Sequence, residues 1–496
     1  MQGSGRRPDP YALAFAAALL LTACKAGPDY RRPEVDMPVT WALEPGWRTA
    51  APADAADKGP WWEAFGDPRL DALEARAMAN NQTLAIATAQ LAQARATVTA
   101  QSAGLFPQVG LGANALRTRI SANRPLAVYD SQNFSTVQND VVLRATVSYE
   151  LDLAGRVRRS IEGAQASAEQ AAADLANTRL VVSAELAADW YALVMTDVSL
   201  DALERSIALQ RRSLEFVDAR HQGGAASGLD LAQQQALLDN TLTQVDVARR
   251  QRAQFEHAIA TLIGVPAPGF SIPPSAHPLN PPAIPLGVPS DLLQRRPDVA
   301  SAERAMAAAN AQVGVATAAF YPSVILAPGY FGVESRTLSL LFDTSSVIWG
   351  IGAAAAQTLF DAGRTQAGVD FAKAGYDASV ASYKLTVLSA MQEVEDGITG
   401  VAALDRATAQ AQRAVDSAHR VLEMSQARYE GGASTYLDVI TAQQAVLNGE
   451  LQAAQLAGQR QLAATALVKA LGGGWNGAQE APVASAAGKG GGSGGP

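Results

Sequence analysis

The stretch RYEGGASTYLDVITAQQAVL, residues 428–447, repeats a pattern that the chain has already used in RHQGGAASGLDLAQQQALL, residues 220–238. In both copies, two adjacent glycines separate two long runs of residues with helical periodicity. Glycine just past a helix end can adopt the left-handed backbone conformation that closes the last turn. Each copy therefore predicts a helix, a tight turn and a second helix. The turn glycines are Gly223, Gly224, Gly431 and Gly432.

The start of each second helix carries its own signal. Ser227 precedes Asp230 by three residues, and Thr435 precedes Asp438 by the same spacing. A hydroxyl residue followed three residues later by an acid is the capping-box pattern of a helix N-terminus. The two aspartates are therefore predicted to cap the helices that follow the turns.

The helices before the turns show a seven-residue repeat of mostly apolar side chains. The first column is Leu186, Leu193, Leu200, Ile207 and Leu214, and the second is Val387, Val394, Val401, Thr408, Val415 and Leu422. Such a repeat indicates helices packed side by side as in a coiled coil. No proline occurs between Arg156 and the first turn. At about 1.5 Å per residue, this run predicts a helix on the order of 100 Å long.

Segments of another kind precede each long helix. They alternate loosely with period two and have the length of transmembrane strands, although an ordinary soluble hairpin is the alternative. The segments are residues 107–120, 140–153, 322–335 and 345–360. Four strands cannot close a barrel, and open sheet edges are not tolerated in lipid. Three copies of the chain would supply twelve strands, a number found in outer-membrane barrels.

The N-terminus indicates export and lipidation. Arg6 and Arg7 precede the short apolar run YALAFAAALLLTAC, which ends at Cys24 and has the form of a signal peptide. Cys24 is the only cysteine in the chain and cannot form an internal disulfide. Leu21-Thr22-Ala23-Cys24 is similar to a bacterial lipobox, which implies that Cys24 carries lipid and becomes the first mature residue.

Several motifs together resemble one family. They are GPDY from Gly27, PWWEAFGDPRLDAL from Pro60, LLQRRPDVASAE from Leu292 and the repeated turns. The chain resembles the TolC-like outer-membrane efflux channels, in the NodT-type lipoprotein branch of resistance-nodulation-division systems. The resemblance implies an α+β membrane channel: a trimer with a twelve-stranded outer-membrane β-barrel and a periplasmic α-barrel of long helical hairpins. It also implies two partners, a periplasmic adaptor (membrane fusion) protein and an inner-membrane transporter, beside the outer-membrane lipid.

The expected organisation has six parts. They are a signal peptide (1–23), a lipidated extended segment (24–60), a first repeat (61–263), a proline-rich linker (264–290), a second repeat (291–471) and a glycine-rich tail (472–496). By resemblance, Asp230, Asp438 and Tyr429 lie near a periplasmic aperture. Helix capping is the alternative role of the two aspartates. Ser434 stands where family members can carry an arginine that locks the aperture.

Other classes of function receive little support. The four histidines have no metal-ligand spacing, and no nucleophile or phosphate-binding motif occurs. We therefore expect no enzyme activity, no cofactor and no metal site. A net charge of −8 disfavours nucleic acid. The expected role is a passive exit duct for drugs or other small solutes. A duct for type I protein secretion and a periplasmic coiled-coil scaffold without a pore are the alternatives.

Overall fold

The computed structural model describes residues 25–33, 59–119, 137–275, 281–282, 284 and 296–473. The predicted signal peptide, Cys24 and the tail beyond residue 473 lie outside these ranges. The described helices are α1 Pro68–Asn80, α2 Gln82–Ser102, α3 Arg156–Gln222, α4 Gly228–Leu262, α5 Pro297–Ala318, α6 Arg364–Glu430 and α7 Tyr436–Ala470. The described strands are β1 Gln108–Arg119, β2 Val137–Leu151, β3 Ser323–Ser335, β4 Val347–Gly350 and β5 Ala354–Ala356.

The element lengths reveal an internal duplication. α3 and α6 both contain 67 residues, and α4 and α7, which follow them after the turns, both contain 35. A helix precedes the strands in each half, so the order helix, strands, long helix, turn, helix occurs twice. None of the described helices combines the length and apolar character needed to span a membrane.

The chain divides into two compact units. Unit 1 comprises Met1–Val35, Thr88–Asp174 and Ala300–Thr386, and unit 2 comprises Asp36–Ala87, Leu175–Val299 and Val387–Pro496. The described strands all belong to unit 1, where they form one antiparallel sheet in the order β1-β2-β3-β4, with β5 also paired to β3.

The fourth predicted strand is interrupted, contrary to the continuous segment 345–360 expected from the sequence. β4 pairs with β3 at Tyr330–Val333, whereas β5 pairs with β3 at Ser323–Ile325. Pro328 lies between these two stretches of β3 and has no N–H to donate. The register of β3 against β2 also shifts at this level, between Val147 and Tyr149. The ladder therefore breaks where a proline and a register shift coincide.

The register gives the sheet two chemically different faces. Residues that oppose one another in antiparallel strands point to the same face. One face is apolar over most of this register, at Val109, Leu111, Ala113, Val141, Leu143, Ala145, Val147, Phe331, Val333, Val347 and Trp349. Towards one end of the sheet the same face carries Arg117, Arg119, Asn139 and Ser335. The other face carries polar residues and glycines, among them Asn114, Arg144, Thr146, Gly332 and Glu334. In the single chain the apolar face is uncovered: Leu111 is 78% exposed and Trp349 is 71% exposed.

The core of unit 2 lies where the predicted seven-residue columns meet. Leu186 and Leu193 on α3 and Val394 on α6 are fully buried, as are Ile259 on α4 and Leu467 on α7. The packing role predicted for these columns is therefore confirmed. Side chains of α1 and the short 3-10 helix Trp61–Phe65 complete this core.

Two arginines, Arg252 on α4 and Arg460 on α7, occupy equivalent positions in the two repeats. Arg252 lies 2.5 Å from the carboxylate of Asp197, and Arg460 lies 3.2 Å from that of Asp405. Arg460 follows Arg252 by 208 residues, and Asp405 follows Asp197 by the same number, so the duplication has preserved the ion pair. In the first repeat, Arg252 also donates to the carbonyl of Ile272 at 2.7 Å. This contact holds the first part of the predicted linker, which is not helical over residues 264–275.

Candidate functional site: the two hairpin turns

The first turn closes α3 with a left-handed glycine. α3 ends at Gln222, and Gly224 has φ of +75°. The N–H of Ala225 donates to the carbonyl of Arg220 at 2.8 Å, and the N–H of Gly224 donates to that of His221 at 2.9 Å. This pair of bonds is the Schellman motif, which satisfies carbonyls that the helix end leaves free.

The second turn has the same backbone. α6 ends at Glu430, and Gly432 has φ of +73°. The N–H of Ala433 donates to the carbonyl of Arg428 at 2.8 Å, and the N–H of Gly432 donates to that of Tyr429 at 3.1 Å. Gly224 and Gly432 therefore occupy the position that only glycine adopts without strain. Neither Gly223 nor Gly431 has a positive φ.

The predicted aperture aspartates begin the second helices. The carboxylate of Asp230 accepts from the N–H of Ser227 at 3.0 Å, and the Ser227 hydroxyl accepts from the N–H of Asp230 at 3.2 Å. The carboxylate of Asp438 lies 3.1 Å from both the N–H and the hydroxyl of Thr435. Both helices therefore start with a capping box. Asp230 is half-buried and Asp438 is exposed, so both carboxylates still face solvent on one side.

The arginines of the turns do not reach these carboxylates. The Arg220 guanidinium lies over the ring of Tyr429, 4.9 Å from its centroid, and that of Arg428 lies 3.4 Å from the carbonyl of Ala433. In the described part of the chain, neither Asp230 nor Asp438 joins an ion pair. Within one chain, Arg220 and Arg428 therefore do not neutralise these aspartates.

An aromatic cluster, consisting of Phe216, Tyr429 and Tyr436, packs the two turns together. The Tyr429 and Tyr436 ring centroids are 5.0 Å apart, and Phe216 meets Tyr429 edge-on at 6.4 Å. Tyr436 is 3% exposed, and its hydroxyl donates to the side-chain carbonyl of the buried Gln234 at 2.7 Å. Burial raises the pKa of Tyr436 above its usual value, so the hydroxyl remains a donor.

Ser434 contributes no lock in this structure. Its hydroxyl oxygen is buried and has no hydrogen-bond partner. Tyr429 packs against Tyr436 beside the turn, and its place near a periplasmic aperture stays a prediction. Sequence reasoning missed Tyr436. The available signal was an aromatic residue where the first repeat has Gly228.

The family signature around residue 296 has a structural role. Arg296, which is 7% exposed, donates to Asp298 at 2.6 Å, to Glu393 at 2.7 Å and to the carbonyl of Ala470 at 2.9 Å. Glu393 is exposed, and the guanidinium of Arg296 is its basic partner. The signature arginine joins the beginning of α5 to α6 and to the end of α7.

One buried acid escaped sequence reasoning. Glu74 lies on α1 among Leu70, Leu73 and Ala77, is fully buried, and has no partner for either carboxylate oxygen. Burial, with a smaller effect from Asp71, raises the pKa of Glu74 to about 9. Glu74 is therefore uncharged at neutral pH. Across the described residues, no group of three or more His, Cys, Asp or Glu is arranged to hold a metal ion.

The duplicated hairpins coincide with a known family pattern. The model of the outer membrane efflux protein family matches residues 73–265 and 288–473. The chain belongs to this family. The two matched stretches each contain one long helix, one turn and one return helix.

Individual relatives match this efflux protein over most of its length. It is 32% identical to outer membrane protein OprJ of Pseudomonas aeruginosa, with 95% of this chain and 97% of OprJ covered. It is 30% identical to the pyoverdine export outer membrane protein OpmQ of Pseudomonas putida, with 88% of this chain and 94% of OpmQ covered. The solved outer-membrane channel OprN superposes with a TM-score of 0.81 at 28% identity, covering 91% of this chain and 100% of OprN. The predicted family, channel fold class and outer-membrane location are therefore confirmed.

Proposed function

We propose that three copies of this efflux protein assemble into one continuous channel. In this assembly the chain is the passive outer-membrane exit duct of a tripartite system. A periplasmic adaptor and an inner-membrane transporter of the resistance-nodulation-division class deliver drugs or other small solutes to it. The observation that carries the proposal is the open sheet with one apolar and one polar face.

The edges of the sheet require neighbours in lipid. In the described chain β1 pairs only with β2, and β4 and β5 pair only with β3. Unpaired backbone N–H and C=O groups cost several kcal/mol each in hydrocarbon, so an open sheet is unstable there. Joining β1 of one copy to β4 and β5 of the next would close a barrel of twelve strand positions from three copies. The apolar face would then contact lipid, and the polar face would line the lumen.

The same assembly would bring the turns together. Each chain supplies two turns, so three chains would place six turns at one end of the helical tube. Asp230 and Asp438 would then contribute six carboxylates around a narrow opening. Like charges a few ångströms apart repel by roughly 4 kcal/mol at an effective dielectric constant of about 20. An opening of this kind favours cations.

Cys24 is the proposed lipid anchor. A triacylated cysteine would bury two or more acyl chains at about 0.8 kcal/mol per methylene, and two chains hold a protein stably where one does not. Cys24→Ser should abolish labelling with radioactive palmitate. Persistence of the label on this variant would show that the lipid is attached elsewhere.

The proposed duct performs no chemistry and uses no cofactor. Its cargo would be set by the transporter that loads it, and the duct of a type I secretion system differs only in that partner. Copurification with an adaptor of one class or the other separates these two possibilities. The apolar sheet face favours a membrane channel over a periplasmic scaffold without a pore.

A pair of substitutions on the two sheet faces tests the proposal. Leu111→Arg places a charge on the apolar face, where an arginine at the bilayer midplane costs about 2–4 kcal/mol. Thr146→Arg places the same charge on the polar face and serves as the matched control. We expect only Leu111→Arg to lose outer-membrane assembly, measured as heat-modifiable migration. Equal behaviour of the two variants would contradict the assigned faces.

A further inference from the structure

The first described residues of the chain, Lys25 to Asp29, are held against α3 by one buried arginine. The Arg159 side chain has no exposed surface. Its Nε donates to the carbonyl of Ala26 at 3.0 Å, and its Nη2 donates to the carbonyl of Gly27 at 3.0 Å and to Asp29 Oδ1 at 3.1 Å. Its Nη1 donates to both carboxylate oxygens of Glu162, at 3.1 and 3.0 Å.

These contacts use the full donor capacity of the side chain. A guanidinium has five N–H groups in a rigid fork, and here each group has an acceptor. Three of the five acceptors belong to Ala26, Gly27 and Asp29. A lysine has only three donors on one nitrogen and cannot reproduce this arrangement. The geometry therefore requires an arginine at position 159, and most of its hydrogen bonds serve to hold residues 26–29.

The residues around Arg159 also allow the N-terminal segment to pack closely against α3 and α5. Gly314 on α5 leaves room for Arg159, because a Cβ at this position would lie 2.7 Å from the arginine side chain. Gly27 has φ of +84°, and a Cβ there would lie 2.6 Å from the Cα of Gly314. Asn310, which is 3% exposed, donates to the carbonyl of Pro28 at 3.1 Å. The segment thus lies in a closely fitted seat on α3 and α5.

The seat lies next to the end of the sheet. The N–H of Ala26 donates to the carbonyl of Ala154 at 3.0 Å, and Lys25 lies 2.6 Å from Glu162. Ala154 stands between the end of β2 at Leu151 and the beginning of α3 at Arg156. The first described residues are therefore held where the strand gives way to the helix, and Lys25 is the residue that directly follows Cys24.

We propose that Arg159 is a positioning residue for the lipid anchor. By holding Lys25–Asp29, it fixes the point at which the acylated terminus leaves the folded chain, at the base of the sheet that enters the membrane. This inference rests on the proposed lipidation of Cys24. A short, fixed link between an anchor and a binding element gives a high effective concentration, which falls when the link lengthens. Arg159 thus keeps the lipid anchor close to the sheet, so that anchoring in the membrane favours insertion of the strands.

The first test measures the seat itself in the full chain. Trypsin can cut after Lys25 and after Arg31, and either cut releases a terminal peptide that mass spectrometry detects. Arg159→Met should accelerate these cuts by at least about tenfold, because cleavage of this kind follows local opening. Arg159→Lys should give an intermediate rate. Arg156→Met is the control, since Arg156 pairs with Glu150 and not with the segment. Equal rates in wild type and Arg159→Met would overturn the proposal.

The second test separates positioning from stability. The yield of heat-modifiable assembly is compared for wild type, Arg159→Met, Cys24→Ser and the double variant. We expect Arg159→Met to lower the yield severalfold in the Cys24 chain and to change it little in the Cys24→Ser chain. An equal loss in both backgrounds would show a merely structural role and would overturn the proposal. Palmitate labelling of the Cys24 chain checks the anchor independently, so that failure of lipidation is distinguished from failure of the seat.

Discussion

The two hairpin turns have the same backbone conformation but different side chains. Both are closed by a left-handed glycine and a capping box, with nearly equal hydrogen-bond lengths. At equivalent positions, however, the first turn has His221 and Gly228 where the second has Tyr429 and Tyr436. Nδ1 of His221 lies 2.9 Å from the carbonyl of Ala226, within its own turn. Local sequence rules thus specify the shape of a turn, and they do not specify what it packs against.

The difference gives the turns unequal roles. The second turn supplies Tyr429 and Tyr436, and the first repeat supplies groups that contact them: Phe216 meets Tyr429 edge-on, Arg220 lies over Tyr429, and Gln234 accepts from Tyr436. The turns of one chain are therefore packed together around two tyrosines whose equivalent positions in the first repeat are not aromatic.

Tyr436→Ala should have the largest effect on this pairing. It removes a buried ring, at about 3–5 kcal/mol, and leaves the side-chain carbonyl of Gln234 unpaired. If the turns support each other, amide exchange should accelerate in both. Leu437→Ala is the matched control, because Leu437 is 52% exposed, and should change stability by about 0.5 kcal/mol or less. Acceleration confined to residues 428–438 would contradict mutual support.

A second contrast between the repeats concerns α1, which has no described counterpart ahead of α5. Its Glu74 keeps a proton in the folded state up to a pKa of about 9, whereas in the unfolded chain it loses the proton near 4.5. Between these values the folded chain binds the additional proton, so raising the pH favours unfolding. The slope is about 1.4 kcal/mol per pH unit, or about 3 kcal/mol between pH 6 and 8.

Thermal unfolding at several pH values checks this contribution. Wild type should lose stability as pH rises across this window, and Glu74→Gln should lose less. The titratable groups that face Glu74 are Asp71 on α1 and Tyr191 on α3. Asp71→Asn is therefore the control, and it should leave most of the slope in place. Identical slopes in wild type and Glu74→Gln would show that Glu74 is charged in the folded chain.

The smallest expected effect tests the shared backbone. Gly224→Ala and Gly432→Ala should each cost about 1–2 kcal/mol, because both force a Cβ into the left-handed region. Gly223→Ala and Gly431→Ala are the controls, since a Cβ there would meet the nearest carbonyl oxygen at 3.5 and 3.4 Å, an ordinary contact. Local amide exchange in each hairpin measures the cost. A large difference between Gly224→Ala and Gly432→Ala would contradict equivalent turns.

Much of this fold follows from short-range patterns. The beginning of α3 at Arg156, the turn glycines, the capping aspartates and the buried columns all obey local rules of helix formation and spacing. The contacts that sequence reasoning missed join residues far apart in the chain. Arg159 meets Asp29 across 130 positions, and Trp190 donates to Asp67 across 123. The sequence shows that a charged or aromatic side chain is present, and only the folded chain shows which group it contacts.

The burial of Glu74 and the break in the fourth strand were not predicted from the sequence, for two different reasons. An acid between Leu70, Leu73 and Ala77 was visible in the sequence as a charge on an apolar helix face, but capping and solvation are the usual roles of acids near a helix start. The break in the fourth strand coincides with Pro328, which lies in the partner strand β3 between its two paired stretches. Pairing of this kind cannot be read from the broken strand alone.

Single-channel recording of the purified full-length protein in planar bilayers tests the central claim most directly. A trimer with a continuous pore should give discrete conductance steps and a reversal potential that favours cations. Asp230→Asn combined with Asp438→Asn should weaken this preference, because it removes the proposed ring of carboxylates. A stable monomer that never conducts would contradict the channel account. Conductance with unchanged selectivity in the double variant would limit Asp230 and Asp438 to helix capping.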